Sequence, residues 1–161
     1  MATPEGRMDA VPQWDPDVAG VVVFPGGQRV RGRGLRAGPP REPADFGVYL
    51  TGTEHLENAW ESRWVRWPDF WLPHSTSEAV SAVREAFARA GSERVEIACK
   101  GGTGRTGTAL ALMACMSGVP PREAVTWVRQ HYRPRAVETP WQRRWIIKTA
   151  PTAVNRDHYG G

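Results

Sequence analysis

An α/β domain with a small central, mostly parallel sheet flanked by helices is the architecture this sequence predicts. Three observations point to it. Short β-branched runs come first, strands and helices then alternate, and consecutive helices close the chain, which is the order of an α/β layer protein. The helix over residues 104–117 is apolar almost all round through Ala109-Leu110-Ala111-Leu112-Met113-Ala114-Cys115-Met116, so it belongs at the buried centre. That helix is entered from a strand through a glycine-rich loop, which lies beyond the carboxyl end of its strand, where open α/β sheets bind ligands.

The elements follow in order. Residues 1–18 are polar and proline-containing without a period and read as an N-terminal segment that wraps the surface or is disordered, while a single domain spans 19–149. Residues 20–24 are a β-branched strand ending at the turn Pro25-Gly26-Gly27. Arg29, Arg31, Arg33, Arg36 and Arg41 are interleaved with Gly and Pro. That stretch reads as a solvated loop, with a second anion-contacting loop and a nucleic-acid surface as alternatives. Residues 46–51 and 63–67 are further strands. Ser75 and Glu78 have capping-box spacing, and Ala79, Val80, Val83, Ala86, Phe87 and Ala90 continue at helical period until Gly91. Residues 95–98 form a buried strand that runs into the loop. Pro120 and Pro121 start a helix that lasts to about Tyr132. Thr139 and Pro140 cap and open a last helix to about Lys148. Residues 150–161 are expected to be a flexible tail. Trp60, Trp64, Trp67 and Trp71 cluster before the first long helix and suit core and pocket-wall packing.

Composition narrows the function classes. The 161 residues are 40% hydrophobic and 24% charged, an ordinary globular balance able to form one core. No apolar run reaches membrane-span length and no signal-peptide core is visible, so a cytoplasmic protein with no membrane partner is expected. The net charge of +4 favours anionic substrates and is too small to predict a nucleic-acid partner. Two cysteines, Cys99 and Cys115, give no disulfide framework. His55, His74, His131 and His158 have no metal-ligand spacing with each other or the cysteines, so neither metal nor other cofactor is expected. A monomer is the expected state.

The chemistry concentrates in Cys99-Lys100-Gly101-Gly102-Thr103-Gly104-Arg105-Thr106-Gly107. A loop of this kind turns successive N–H groups toward one point, and the helix that follows adds its positive end. A phosphate fits that cradle, held by Lys100, Gly101, Gly102, Thr103, Gly104 and the Arg105 fork, with Cys99 beneath it. A thiol there is surrounded by donors and positive potential, which favours the thiolate nucleophile. Transfer from an ester also needs a proton donor for the leaving oxygen. Asp69, flanked by Pro68 and aromatic residues on a loop after a strand, is the natural candidate.

Rival readings exist. Gly102, Gly104 and Gly107 also satisfy G-x-G-x-x-G, so a dinucleotide-binding unit is an alternative. It requires a second parallel strand after the helix, and Pro120-Pro121-Arg122-Glu123 begins a helix instead. A P-loop nucleotide site fails because no Gly-Lys-Ser or Gly-Lys-Thr follows. Cys99 alone would pass for a buried inert thiol, as mid-helix Cys115 does, and Asp69 for a turn residue.

Cys99 to Arg105 resembles the Cys-x5-Arg signature of the cysteine-dependent protein tyrosine phosphatases, and Trp67-Pro68-Asp69 resembles their mobile acid loop. The spacing between the two is similar to that of the compact dual-specificity branch. Arg133-Pro134, Ala136-Val137-Glu138-Thr139 and Gln142 resemble the segment after its central helices, so the likeness covers about residues 46–149. It implies hydrolysis of phosphate monoesters through a phosphocysteine, with Cys99, Arg105, Asp69 and Thr106 catalytic and Gln142 helping to place water. The candidate residues for the substrate rim are Phe70, Trp71, His74 and Gln142, together with Lys100. The implied substrate is protein phosphotyrosine, with a small nucleotide, sugar or inositol phosphate as the alternative. A catalytically weak phosphate-binding relative is the remaining one. Ala98 stands where the family usually carries a histidine before the nucleophile.

Overall fold

A computed structural model describes residues 13–154. Among the described residues five strands form one sheet in the order β1-β2-β5-β3-β4: β1 (Val21–Val23), β2 (Arg29–Gly34), β3 (Phe46–Thr51), β4 (Glu61–Arg66) and β5 (Val95–Cys99). Only the β1–β2 pair is antiparallel, a hairpin turned by Pro25-Gly26-Gly27, and the other pairs are parallel. The helices are α1 (Thr76–Arg89), α2 (Gly104–Met116), α3 (Ala124–His131) and α4 (Pro140–Val154). Among the described residues, no helix is long and apolar enough to cross a membrane.

Strand β5 lies at the centre because both its faces are covered, and all five of its residues are buried. Such a strand needs packing on both sides, as parallel sheets do. Helix α2 is buried from Gly104 to Cys115, in agreement with its all-round apolar sequence, and packs against β5, α1, α3 and α4. Ser75 caps α1 by accepting the Glu78 N–H at 3.2 Å, and Thr139 accepts the Gln142 N–H at 3.1 Å near the start of α4. After α2 the chain enters a 3-10 turn (Pro121–Glu123) and then α3, so the strand a dinucleotide-binding unit requires is absent among the described residues.

Two expectations are corrected. The arginine stretch is not a solvated loop: residues 29–34 are strand β2, paired in parallel with β5. Its alternating arginines mislead because a buried carboxylate, Glu96, pairs with Arg31 and Arg33. Glu96 Oε1 accepts from Arg31 Nη2 at 2.7 Å and from Arg33 Nε at 2.9 Å, while Oε2 accepts from Arg33 Nη2 and from the Tyr49 hydroxyl, both at 2.7 Å. The last helix does not stop near Lys148 but continues through Pro151 to Val154. Burial of Ala150 and Ala153, and donation from the Arg84 guanidinium to the carbonyls of Thr152 and Ala153, outweigh the lost proline N–H. The N-terminal segment is held against the domain from Gln13 onward. Trp14 is buried, its indole N–H donates to the Val95 carbonyl at 2.7 Å, and Arg31 stacks on its ring. Residues 1–12 and 155–161, with His158, lie outside the described residues.

Candidate active site

The loop from Cys99 to Arg105 connects the end of β5 to the start of α2. Gly34, the last residue of β2, is in register with Cys99, and the two backbones touch there. A Cβ on Gly34 would stand 2.7 Å from the Gly101 carbonyl oxygen. Gly102 has a φ of +75°, and a Cβ on it would stand 2.6 Å from the Gly34 amide nitrogen. Glycine is therefore needed at both positions, since neither backbone can retreat, and at Gly102 an L side chain would also resist the positive φ.

Cys99 is 2% exposed, and its sulfur receives two hydrogen bonds. The Thr106 hydroxyl donates to Sγ at 3.0 Å and the Gly102 N–H at 3.2 Å. Helix α2 begins with no side-chain cap from Thr103, which leaves its first-turn N–H groups free for an anion. Arg105 lies in that turn, buried, and its Nη1 donates to the Trp67 carbonyl at 3.0 Å. Its Nη2 stands 3.2 Å from Asp69 Oδ1. The guanidinium therefore joins the Cys99–Arg105 loop to the Trp67–Asp69 segment, two motifs far apart in sequence.

The loop that carries Asp69 is tied down by two indoles. The Trp67 indole donates to the Trp71 carbonyl at 2.8 Å, and the Trp141 indole donates to the Phe70 carbonyl at 2.7 Å. Phe70 sits at a φ of +60°, and Val137 on the facing segment at +67°. Such backbone strain in non-glycine residues is typical of functional loops. Phe70 and Trp71 are 53% and 56% exposed on the outer side, and the His74 side chain is exposed as well. Gln142 does not reach the rim. It is fully buried, its Oε1 accepts the N–H groups of Glu138 and Thr139, and its Nε2 donates to the Trp71 carbonyl. The first turn of α4 takes the side chain into hydrogen bonds with the Glu138 and Thr139 backbone on one side and the Trp71 carbonyl on the other.

Other residues complete the site. The Glu138 side chain lies against Gly104 at the start of α2. Burial and the neighbouring Asp69 charge push its carboxyl above the ordinary glutamate range, against the opposing pull of Arg105. Arg133 Nη1 donates to the Gly101 carbonyl at 2.9 Å and to Thr103 Oγ1 at 3.1 Å, and the Tyr132 hydroxyl donates to the Gly102 carbonyl. Tyr132 carried no signal in the sequence, because its position depends on the unrecognised strand β2, whose Gly32 its ring covers. Lys100 is exposed at the mouth, and the Arg36 N–H donates to its carbonyl at 3.0 Å. Arg33 is spent on Glu96 and does not serve the mouth.

A parallel α/β sheet, a thiol under loop amides, an arginine fork and a carboxylate above it define the cysteine-dependent phosphatase class. Residues 44–150 match the family model of the protein-tyrosine phosphatases, and the chain belongs to that family. Among solved structures it is similar to Tk-PTP in its active form, at 25% identity and a TM-score of 0.61, over 81% of this chain and 96% of that one. It is also similar to PTPMT1, solved in complex with PI(5)P, at 16% identity and a TM-score of 0.54, over 70% of this chain and 80% of that one. An uncharacterized protein of Methanocaldococcus jannaschii is 39% identical over 56 residues, which is 35% of this chain and 34% of that relative. The chain thus aligns with about a third of that curated relative.

Proposed function

We propose that the protein is a metal-independent phosphomonoester hydrolase that works through a phosphocysteine. The observation that carries this reading is the bridge made by Arg105, which sits in the phosphate loop and meets both the Trp67 carbonyl and the Asp69 carboxylate. A phosphate dianion in the loop would be held by the amides from Lys100 to Arg105 and by the guanidinium. The Cys99 thiolate attacks phosphorus, an S–P bond forms, and the ester P–O bond breaks. Protonated Asp69 gives its proton to the departing oxygen. In the second step Asp69 as carboxylate takes a proton from water, the water oxygen attacks phosphorus, and the S–P bond breaks to release orthophosphate and the thiolate. The Thr106 hydroxyl stabilises that sulfur as it leaves. A reducing cytoplasmic setting suits a working thiol.

Protein phosphotyrosine is the substrate the family resemblance suggests. A compact phosphate ester is favoured by a separate observation, the two exposed cations Arg36 and Lys100 beside the loop. The reading is tested by hydrolysis of nitrophenyl and alkyl phosphates in the presence of chelator. Activity should persist in chelator and vanish in Cys99→Ser. Asp69→Asn should slow alkyl esters, which leave poorly, far more than nitrophenyl phosphate. Chelator-sensitive hydrolysis that survives Cys99→Ser would overturn it.

A further inference from the structure

Strand β2 has a consequence for the mouth of the site. Because Gly34 is in register with Cys99, the 3-10 turn that follows (Leu35–Ala37) runs beside the phosphate loop, and the Arg36 N–H is tied to the Lys100 carbonyl. An Arg36 guanidinium nitrogen stands 3.7 Å from where a Cβ on Gly101 would be. Between this turn and the end of β3 lies a pocket of about 310 Å³ lined by Leu35, Arg36, Thr51, Thr53, Glu54, His55 and Lys100. Most of its polar groups are already engaged. Thr51 Oγ1 donates to the Thr53 carbonyl and accepts from the Trp64 indole, and His55 lies tilted against the Tyr49 ring with its Nε2 3.5 Å from Glu57. Arg36, Lys100 and Glu54 are exposed and, among the described residues, take part in no ion pair.

We infer that this pocket is a second-anion subsite, and that the substrate is a phosphorylated polyol carrying a second phosphate near the scissile one. The inference rests on the phosphatase reading above. Arg36 offers a planar fork and Lys100 a point charge, the pair of donors that grips a phosphate dianion from two sides. Lys100 belongs to the loop and Arg36 adjoins it, so they reach only a charge held close to the reacting phosphorus, as on neighbouring carbons of one small ring or chain. Glu54 selects further. Its carboxylate repels an anion directed at it but accepts hydrogen bonds from hydroxyl groups, which a polyol supplies and an aromatic ring does not. Arg33, which is locked to Glu96, takes no part.

The test is a comparison of kcat/KM on matched esters with purified protein: a polyol bisphosphate, its monophosphate, the same headgroup in phospholipid vesicles, and a phosphotyrosine peptide. The bisphosphate should exceed the monophosphate by about tenfold, the worth of one charge-assisted grip. Arg36→Met and Lys100→Met should each reduce that ratio several-fold, and Arg36→Lys should retain part of it. The preference should also weaken as salt is raised. Faster turnover of the free ester or of the vesicle headgroup supports the subsite either way and tells which source supplies it. A ratio near one, a ratio unmoved by both methionine variants, or a clear preference for the peptide would overturn the subsite and leave the phosphatase reading standing. Failure of the wild-type protein to hydrolyse any ester would instead overturn that reading.

Discussion

The Tyr132 hydroxyl donates to the carbonyl of Gly102, the residue whose own N–H is directed at the Cys99 sulfur. Arg133 holds the carbonyl of Gly101 in the same way. With these carbonyls drawn outward, the amide of Gly102 is turned inward, toward the sulfur. The pair braces the loop from the segment after α3, in a protein that has Ala98 in place of the family's supporting histidine.

Replacing Tyr132 by Phe keeps the ring on Gly32 and removes only the hydrogen bond. A bond of this kind contributes about 1 kcal/mol, so kcat on nitrophenyl phosphate should fall roughly fivefold with little change in KM. An unchanged kcat would show that the loop holds its form without this brace.

Thr106→Val retains the shape of a buried side chain and deletes the hydroxyl that donates to Cys99 Sγ at 3.0 Å. Hydrogen bonds to charged groups are worth about 1.5 to 3 kcal/mol, so release of the thiolate should slow by about 10- to 100-fold. Rapid-mixing kinetics should then show a burst of alcohol product followed by slow turnover. A single slow phase without a burst would place the role of Thr106 in the first step.

Glu96 is fully buried between Arg31, Arg33 and Tyr49. Burial opposes its ionisation, but the hydrogen bonds and charges of the two arginines outweigh it and hold its carboxyl below the ordinary glutamate range. Glu96→Gln should cost about 3 kcal/mol or more at neutral pH, since it leaves two arginines without a counter-charge. A depressed carboxyl stabilises the fold fully above its unfolded value of about 4.3, and that advantage is lost as pH falls toward the folded value. Urea unfolding of both proteins should therefore show a gap that is constant near neutrality and narrows below about pH 4. A gap independent of pH would contradict the ionised network.

The two thiols should separate cleanly. Burial pushes the Cys115 thiol up to about 11, among apolar neighbours on α2. Iodoacetamide at neutral pH should label Cys99 alone, with the same rate in Cys115→Ser, and bound phosphate should slow it. Labelling of Cys115 in the native protein would show that α2 opens.

The residues that carry local signals were readable in advance. Cys99, Arg105 and Asp69 sit in short motifs, α2 declares its burial through composition, and β3 (Phe46–Thr51) through its bulky and β-branched residues. Strand β2 was hidden because its arginines look solvated, and only a carboxylate 63 residues away from Arg33 makes them interior. The end of α4 was hidden because Pro151 breaks helices locally, while the contacts of Ala150, Ala153 and Arg84 that sustain this one are tertiary. Gln142 sits in a recognisable segment, yet its burial depends on how the acid loop folds back over α4.

The most direct measurement is acid quenching during turnover of a nitrophenyl ester, followed by mass spectrometry of the digested protein. One phosphoryl group should be found on the peptide containing Cys99, longer-lived in Thr106→Val and absent from Cys99→Ser. Steady turnover with no such adduct, or with phosphate carried on any other residue, would contradict the account.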